Sequence, residues 1–120
     1  MTMENTLIKF GLAKDENNLK LKEVLKDNAK LKEIHIDIYP ENPLVASSTP
    51  FMLLSRTIEK NVIVSNDNDR LILKRNDKFE TCFMNILASK VTESFFKISE
   101  SYSEFILNIQ NIYFRITILN

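Results

Sequence analysis

The sequence predicts an α+β protein: a single two-layer domain in which helices pack on a small, mainly antiparallel sheet. Three observations predict this class. The 120 residues can form one stable core but not two, so we expect one globular domain over residues 1–120. The chain holds one glycine, whereas an all-β protein with many tight turns normally needs more. Apolar residues recur at helical spacing in some segments and alternate in others, as they do in strands.

The first half of the chain is predicted to form, in order, helices over residues 3–13 and 16–32, a strand over 33–39 and a helix over 50–60. The strand is predicted from strict alternation, which places Ile34, Ile36 and Ile38 on one face. The helix over 50–60 is predicted from Thr49 and Pro50, which suit the N-cap and the first helical position.

The second half is predicted to form strands over 61–65 and 70–75 joined by a turn at 66–69, helices over 78–92 and 101–111 with an extended piece over 95–98, and a closing strand over 112–119. Asp77 and Glu80 have the spacing of a capping box, which would start the helix at residue 78. Phe79, Cys82 and Phe83 would then lie on its buried face.

The region after residue 92 fits two interpretations. Periodicity favours a helix over 101–111, and Ser101 with Glu104 offers a second capping box. The rival interpretation is a three-stranded meander over 93–119, because these residues are rich in β-branched and aromatic types.

Composition limits the classes of partner and compartment. Sixteen basic and sixteen acidic side chains cancel, whereas a general polyanion binder usually has a basic excess, so the overall charge argues against nucleic acid as the main partner. We find no membrane-spanning run and no signal-peptide pattern, and one cysteine cannot form an internal disulfide, so we expect a cytoplasmic protein. Abundant Ile, Lys and Asn with few Ala and Gly suggest an A/T-rich gene.

Charged residues in and after the turn at 66–69 form the first candidate site. Four basic residues lie within the nine positions 70–78, flanked by acids, which favours an ion-paired surface over a phosphate-contacting patch. The acidic turn lacks the glycine and glutamate of an EF-hand loop, so we predict no metal and no cofactor. The candidate partner-binding residues are Asp67, Asp69, Arg70, Lys74, Arg75 and Phe96, the last being an apolar side chain off the main helical stripe.

A second candidate site lies on the polar side of the predicted strand over 33–39. His35, Asp37 and Tyr39 share one face, where a carboxylate could orient an imidazole for acid–base chemistry. Such a site needs a cleft and a convergent basic group, for which Arg56 and Arg115 are candidates. Polar side chains on the exposed side of a strand are the simpler interpretation.

These observations predict a small protein-binding module that is not an enzyme. The expected class is an inhibitor of the immunity-protein or antitoxin type, from a bacterium or phage, whose partner is another protein such as a toxin or effector. The complete core, the missing catalytic motifs and the charge-rich surface support it. Two alternatives remain: a nucleic-acid accessory protein that uses the Arg70–Lys78 patch, and a small-ligand module or enzyme that uses the His35/Asp37 face.

Overall fold

The computed structural model describes residues 11–40 and 53–119. Its strands are β1 (Ala13–Lys14), β2 (Lys30–Tyr39), β3 (Ser55–Asn66), β4 (Arg70–Arg75), β5 (Cys82–Leu87), β6 (Val91–Ile98), β7 (Tyr102–Ile109) and β8 (Ile112–Leu119). One α-helix, α1, spans Leu19–Val24, and single 3₁₀ turns span Glu16–Asn18 and Ala88–Lys90. No helix in this described part of the chain is long and apolar enough to cross a membrane.

The predicted α+β class is wrong. Of the described residues 62% are strand and 12% are helical, and all eight strands belong to one antiparallel sheet. Instead of glycine, the tight turns use asparagine. Among the described non-glycine residues with positive φ, most are asparagines: Asn17, Asn18, Asn28, Asn61, Asn68 and Asn111. Because asparagine tolerates the left-handed conformation, a low glycine count does not exclude a chain of many turns.

The strand order β1-β6-β7-β8-β2-β3-β4-β5 requires the sheet to fold over on itself. Six antiparallel steps separate β6 from β5, so in a flat sheet these strands would run the same way, about 29 Å apart. Yet only residues 88–90 connect them, and the four Cα steps from Leu87 to Val91 reach about 14 Å. The two halves of the sheet therefore curve round to enclose a common core, and a seam remains between β5 and β6.

The main core fills the inside of this folded sheet. It joins side chains from both halves, among them Ile36 of β2, Leu73 of β4, Ile86 of β5 and Phe105 of β7. Two of the three leucines of the α1 region, Leu21 and Leu25, are fully buried in the same cluster.

Hydrogen bonds hold α1 against the sheet. The carboxylate of Asp15, itself buried, accepts the backbone N–H groups of Lys20 at 2.8 Å and Leu21 at 3.0 Å. The Asp15 N–H donates to the Ser94 carbonyl at 2.7 Å, and the Asn66 side-chain amide donates to the Leu25 carbonyl at 2.8 Å. The helix is therefore tied to β6 at one end and to β3 at the other.

A local irregularity in β3 changes which side chains face the core. Val62 and Val64 are buried, whereas Ile58 and Lys60, at the same parity of the strand, are exposed. Asn61 between them has φ 54°, a left-handed conformation that turns the strand at this point.

Three helix predictions are corrected by these strands. The predicted helix over 16–32 is limited to Leu19–Val24, because Asn28 has φ 65° and β2 begins at Lys30. The described part of the predicted helix over 50–60 belongs largely to β3, and the predicted helix over 3–13 falls almost wholly outside the described residues. The predicted helix over 78–92 is a loop followed by β5, a 3₁₀ turn and the first residues of β6.

The C-terminal meander, the rival interpretation, is what the structure shows. Strands β6, β7 and β8 pair in sequence, so the helix predicted over 101–111 is wrong. The strands predicted over 70–75 and 112–119 and the turn at 66–69 are confirmed, and the strand over 33–39 is confirmed with an earlier start at Lys30.

Candidate partner-binding surface

The loop between β4 and β5 has an ordered base. The Arg75 N–H donates to the Thr81 carbonyl at 2.9 Å and closes the loop. The Asn76 N–H donates to the Asn61 carbonyl at 2.8 Å, which ties the loop to the irregular position in β3. The loop is thus attached to two strands of the sheet.

The tip of the same loop is a compact turn built around Asp77. Its carboxylate accepts the Phe79 N–H at 3.1 Å, and its carbonyl accepts the Glu80 N–H at 3.2 Å. Glu80 has φ 45°, so the chain reverses there instead of continuing as a helix. Asp77 and Glu80 therefore form a turn, and not the predicted capping box.

The turn presents Phe79 to solvent. Its side chain is 79% exposed, the highest value among the large apolar residues that the structure describes. The Lys78 ammonium lies 5.7 Å from the centre of the ring, in a cation–π contact. Because the backbone of this loop is already ordered, a partner that buries the exposed phenyl ring does not have to order the loop as well.

Charged side chains at the base of the loop are held in fixed positions. Arg75 donates to both carboxylate oxygens of Glu59, with the shortest distance, 2.8 Å, from Nη2 to Oε1. This hydrogen bonding raises the pKa of Arg75 above its ordinary value. Ile58, next to Glu59 in β3, is about half exposed. We call Glu59, Arg75, Lys78 and Phe79 the loop surface.

The predicted acidic residues Asp67 and Asp69 stabilise local structure. The Asp67 carboxylate accepts the Arg70 N–H at 2.7 Å, and that hydrogen bond lowers the pKa of Asp67. The Asp69 carboxylate accepts the Ser89 N–H at 2.9 Å, and its carbonyl accepts the Ala88 N–H at 2.7 Å. The turn at 66–69 is therefore connected to the 3₁₀ turn after β5.

The other predicted partner-binding residues are separated by the fold. Arg70 and Lys74 lie at the same parity of β4, while Arg75 is paired with Glu59 as described. Phe96 is half-buried and packs against the main core, opposite Phe105 in the register. Of this predicted set, only Arg75 belongs to the loop surface.

The second predicted site is a face of ion pairs. His35 Nε2 lies 2.7 Å from a carboxylate oxygen of Glu33, and this hydrogen bond lowers the pKa of Glu33. Asp37 accepts instead from Arg56, whose Nε lies at 2.9 Å, and this bond raises the pKa of Arg56. Asp37 therefore engages a guanidinium and does not orient the imidazole of His35.

The remaining members of that face, Arg115 and Tyr39, do not converge on His35 either. Arg115 lies opposite Asp37 in the register, but its Nη2 contacts Glu104 at 3.3 Å, and Tyr39 is buried. Within residues 11–40 and 53–119, no group of three or more His, Cys, Asp or Glu side chains could hold a metal ion.

Comparisons with protein-family models, curated proteins and solved structures give no significant match. The chain's own side chains are therefore the basis for any functional inference.

The exposure of Phe79 was not predicted from the sequence, because the spacing Phe79, Cys82, Phe83 resembles a buried helix face. Cys82 is exposed as well, at the start of β5. The available signal was the run Asn76-Asp77 before Phe79, which is typical of a turn.

Proposed function

We propose that this chain is a small protein-binding module that docks on a partner protein through the loop surface. The observation that carries the proposal is the exposure of Phe79 on a loop fixed by hydrogen bonds. Aromatic side chains that fill a pocket on the partner provide much of the binding energy of protein interfaces. A preformed loop loses little conformational entropy when it binds.

The charges beside Phe79 define the partner that suits this surface. Lys78 lies over the ring, whereas Arg75 is paired with Glu59, so an apolar pocket bordered by a carboxylate that meets Lys78 would complement this surface. Such a module neutralises its partner when the pocket it fills is the partner's own working surface. This is the inhibitor function, of the immunity-protein or antitoxin kind, that the sequence predicts.

The test is an affinity purification from the host, followed by a binding measurement with the purified partner. Phe79→Ala should raise the dissociation constant about 30-fold, which corresponds to a loss of about 2 kcal/mol of binding free energy for an anchor of this size. Leu19→Ala is the matched control, because Leu19 is 62% exposed but lies on α1. It should change the dissociation constant less than about twofold.

Two further measurements make the result decisive. Phe79→Ala should leave the free energy of unfolding unchanged within about 0.5 kcal/mol, since the ring is exposed. Lys78→Ala should slow association and weaken its dependence on salt. The proposal is wrong if every protein retained by the wild type is bound equally well by the Phe79→Ala variant.

A further inference from the structure

A half-open cleft of about 230 Å³ lies between β5, the 3₁₀ turn that follows it, and the turn from β7 to β8. Its apolar wall includes Met84 and Ile86 of β5, Ile109 of β7 and Phe114 of β8. All four side chains belong to the main core or pack against it, so the cleft leads from the surface to the interior.

The cleft follows from the strand order. The odd number of antiparallel strands from β6 to β5 prevents these two strands from pairing as a hairpin, although only three residues join them. Within the described residues, β5 has β4 as its one sheet partner. The space beside its other edge is therefore open, and openings of this kind in curved sheets are common ligand sites.

The lining of the cleft carries one positive charge and the side-chain amides of Asn85 and Gln110. Lys90 is the one charged side chain that lines it, and Lys90 makes no ion pair with any residue in the described ranges. The 3₁₀ turn that holds Lys90 is fixed by two hydrogen bonds to Asp69, through the N–H groups of Ala88 and Ser89. Lys90 thus lines the cleft from a turn whose backbone is anchored.

We propose that this cleft binds an unbranched carboxylate with an apolar chain of about eight carbons. A lining with an apolar wall and one cation complements a molecule with an apolar chain and one anionic end. If each small group occupies about 30 Å³, the volume of the cleft accommodates about eight of them. The chain lies against Met84 and Phe114, and the carboxylate lies beside Lys90.

The probes are sodium hexanoate, octanoate and decanoate, titrated below their micellar concentrations and followed by amide chemical shifts. Octanoate should bind with a dissociation constant on the order of 1 mM, with saturable shifts at Met84, Ile109 and Phe114. From hexanoate to octanoate, affinity should rise about fourfold per methylene. Decanoate should gain less than about twofold over octanoate, because the cleft is then full.

Two comparisons test the role of Lys90. The wild type should prefer octanoate over octanol about fivefold, a value typical of an exposed charge pair. Lys90→Ala should abolish this preference, whereas Lys78→Ala, which removes a cation from another loop, should preserve it. Phe79→Ala should also bind octanoate normally. The octanoate proposal can therefore fail without affecting the proposed protein-binding function, and the reverse also holds.

Three results would each overturn the proposal: no saturable shift with octanoate, equal affinity for octanol and octanoate in the wild type, or a continued gain of about fourfold per methylene from octanoate to decanoate. Met84→Trp provides a second variant, since a larger side chain should fill the cleft and abolish binding while Lys90 remains. Thermal unfolding of each variant establishes that it is folded before titration.

Discussion

Replacing Leu21 by alanine tests whether α1 is an integral part of the core. Leu21 has no exposed surface and lies in the main cluster, although its helix is only six residues long. Removing its buried isopropyl group costs the transfer free energy and leaves a cavity, a total of about 3 kcal/mol. For a chain of 120 residues, the melting temperature should fall by about 12 °C.

The assay is urea denaturation of the wild type, Leu21→Ala and Leu19→Ala. The two substitutions have the same chemistry on the same helix, but Leu19 is 62% exposed, so its loss should cost less than about 0.5 kcal/mol. Equal values for the two variants would refute the assignment of α1 to the core. A lower m-value for Leu21→Ala alone would mean that unfolding is no longer two-state or that one end state has changed its compactness.

Three further predictions concern single side chains. Asp15→Ala should lower the free energy of unfolding by about 2 kcal/mol in the same denaturation assay, because two helix amides lose a buried charged acceptor; Asp15→Asn should lose less. Asn61→Val should cost about 1–2 kcal/mol and Asn61→Gly about 0.5 kcal/mol or less, since φ is 54° there, and equal losses would contradict a left-handed position. The hydrogen bond from His35 lowers the pKa of Glu33 below its ordinary value of 4.5. The ionised Glu33 therefore contributes its full stabilisation above pH 4.5, and this stabilisation is lost as the pH falls through the lowered pKa of the folded state. Glu33→Gln should therefore reduce the loss of stability below pH 4.5, and His35→Ala should raise the NMR titration midpoint of Glu33; an unchanged midpoint would contradict the pairing.

Sequence reasoning succeeded where one face of a strand is buried and the other is not. The residues of β2 from 33 to 39 and those of β8 alternate in character, and both strands were predicted. The turn at 66–69 was predicted from Asn and Asp, which fill it in the structure. These features depend on local sequence alone.

The prediction failed at β7 because this strand is buried on both faces. Phe105 and Leu107 face the main core, while Ile106 packs with Leu12 and Phe95 in a second cluster. A strand covered on both sides shows no alternation, and its continuous apolar run can be mistaken for helical periodicity. Only the tertiary arrangement, with Leu12 across the second face, distinguishes the two.

The candidate sites show the same limit. The register places Asp37 and Arg115 opposite one another, and the sequence had suggested Arg115 as a partner for that face. It could not show that Glu104, eleven residues earlier, would engage Arg115. For Phe79 the helical spacing with Cys82 and Phe83 outweighed the local turn signal of Asn76-Asp77, so the sequence predicts a buried ring where the structure has an exposed one.

The asparagines at left-handed positions also bear on how genes of unusual base composition encode folds. Every glycine codon begins with two guanines, whereas asparagine codons begin with two adenines. A gene under pressure towards A and T can therefore replace glycine by asparagine at its turns and still encode an antiparallel sheet, as six positions of this chain illustrate. Glycine content consequently reports the nucleotide composition of a genome as well as the number of turns in its proteins.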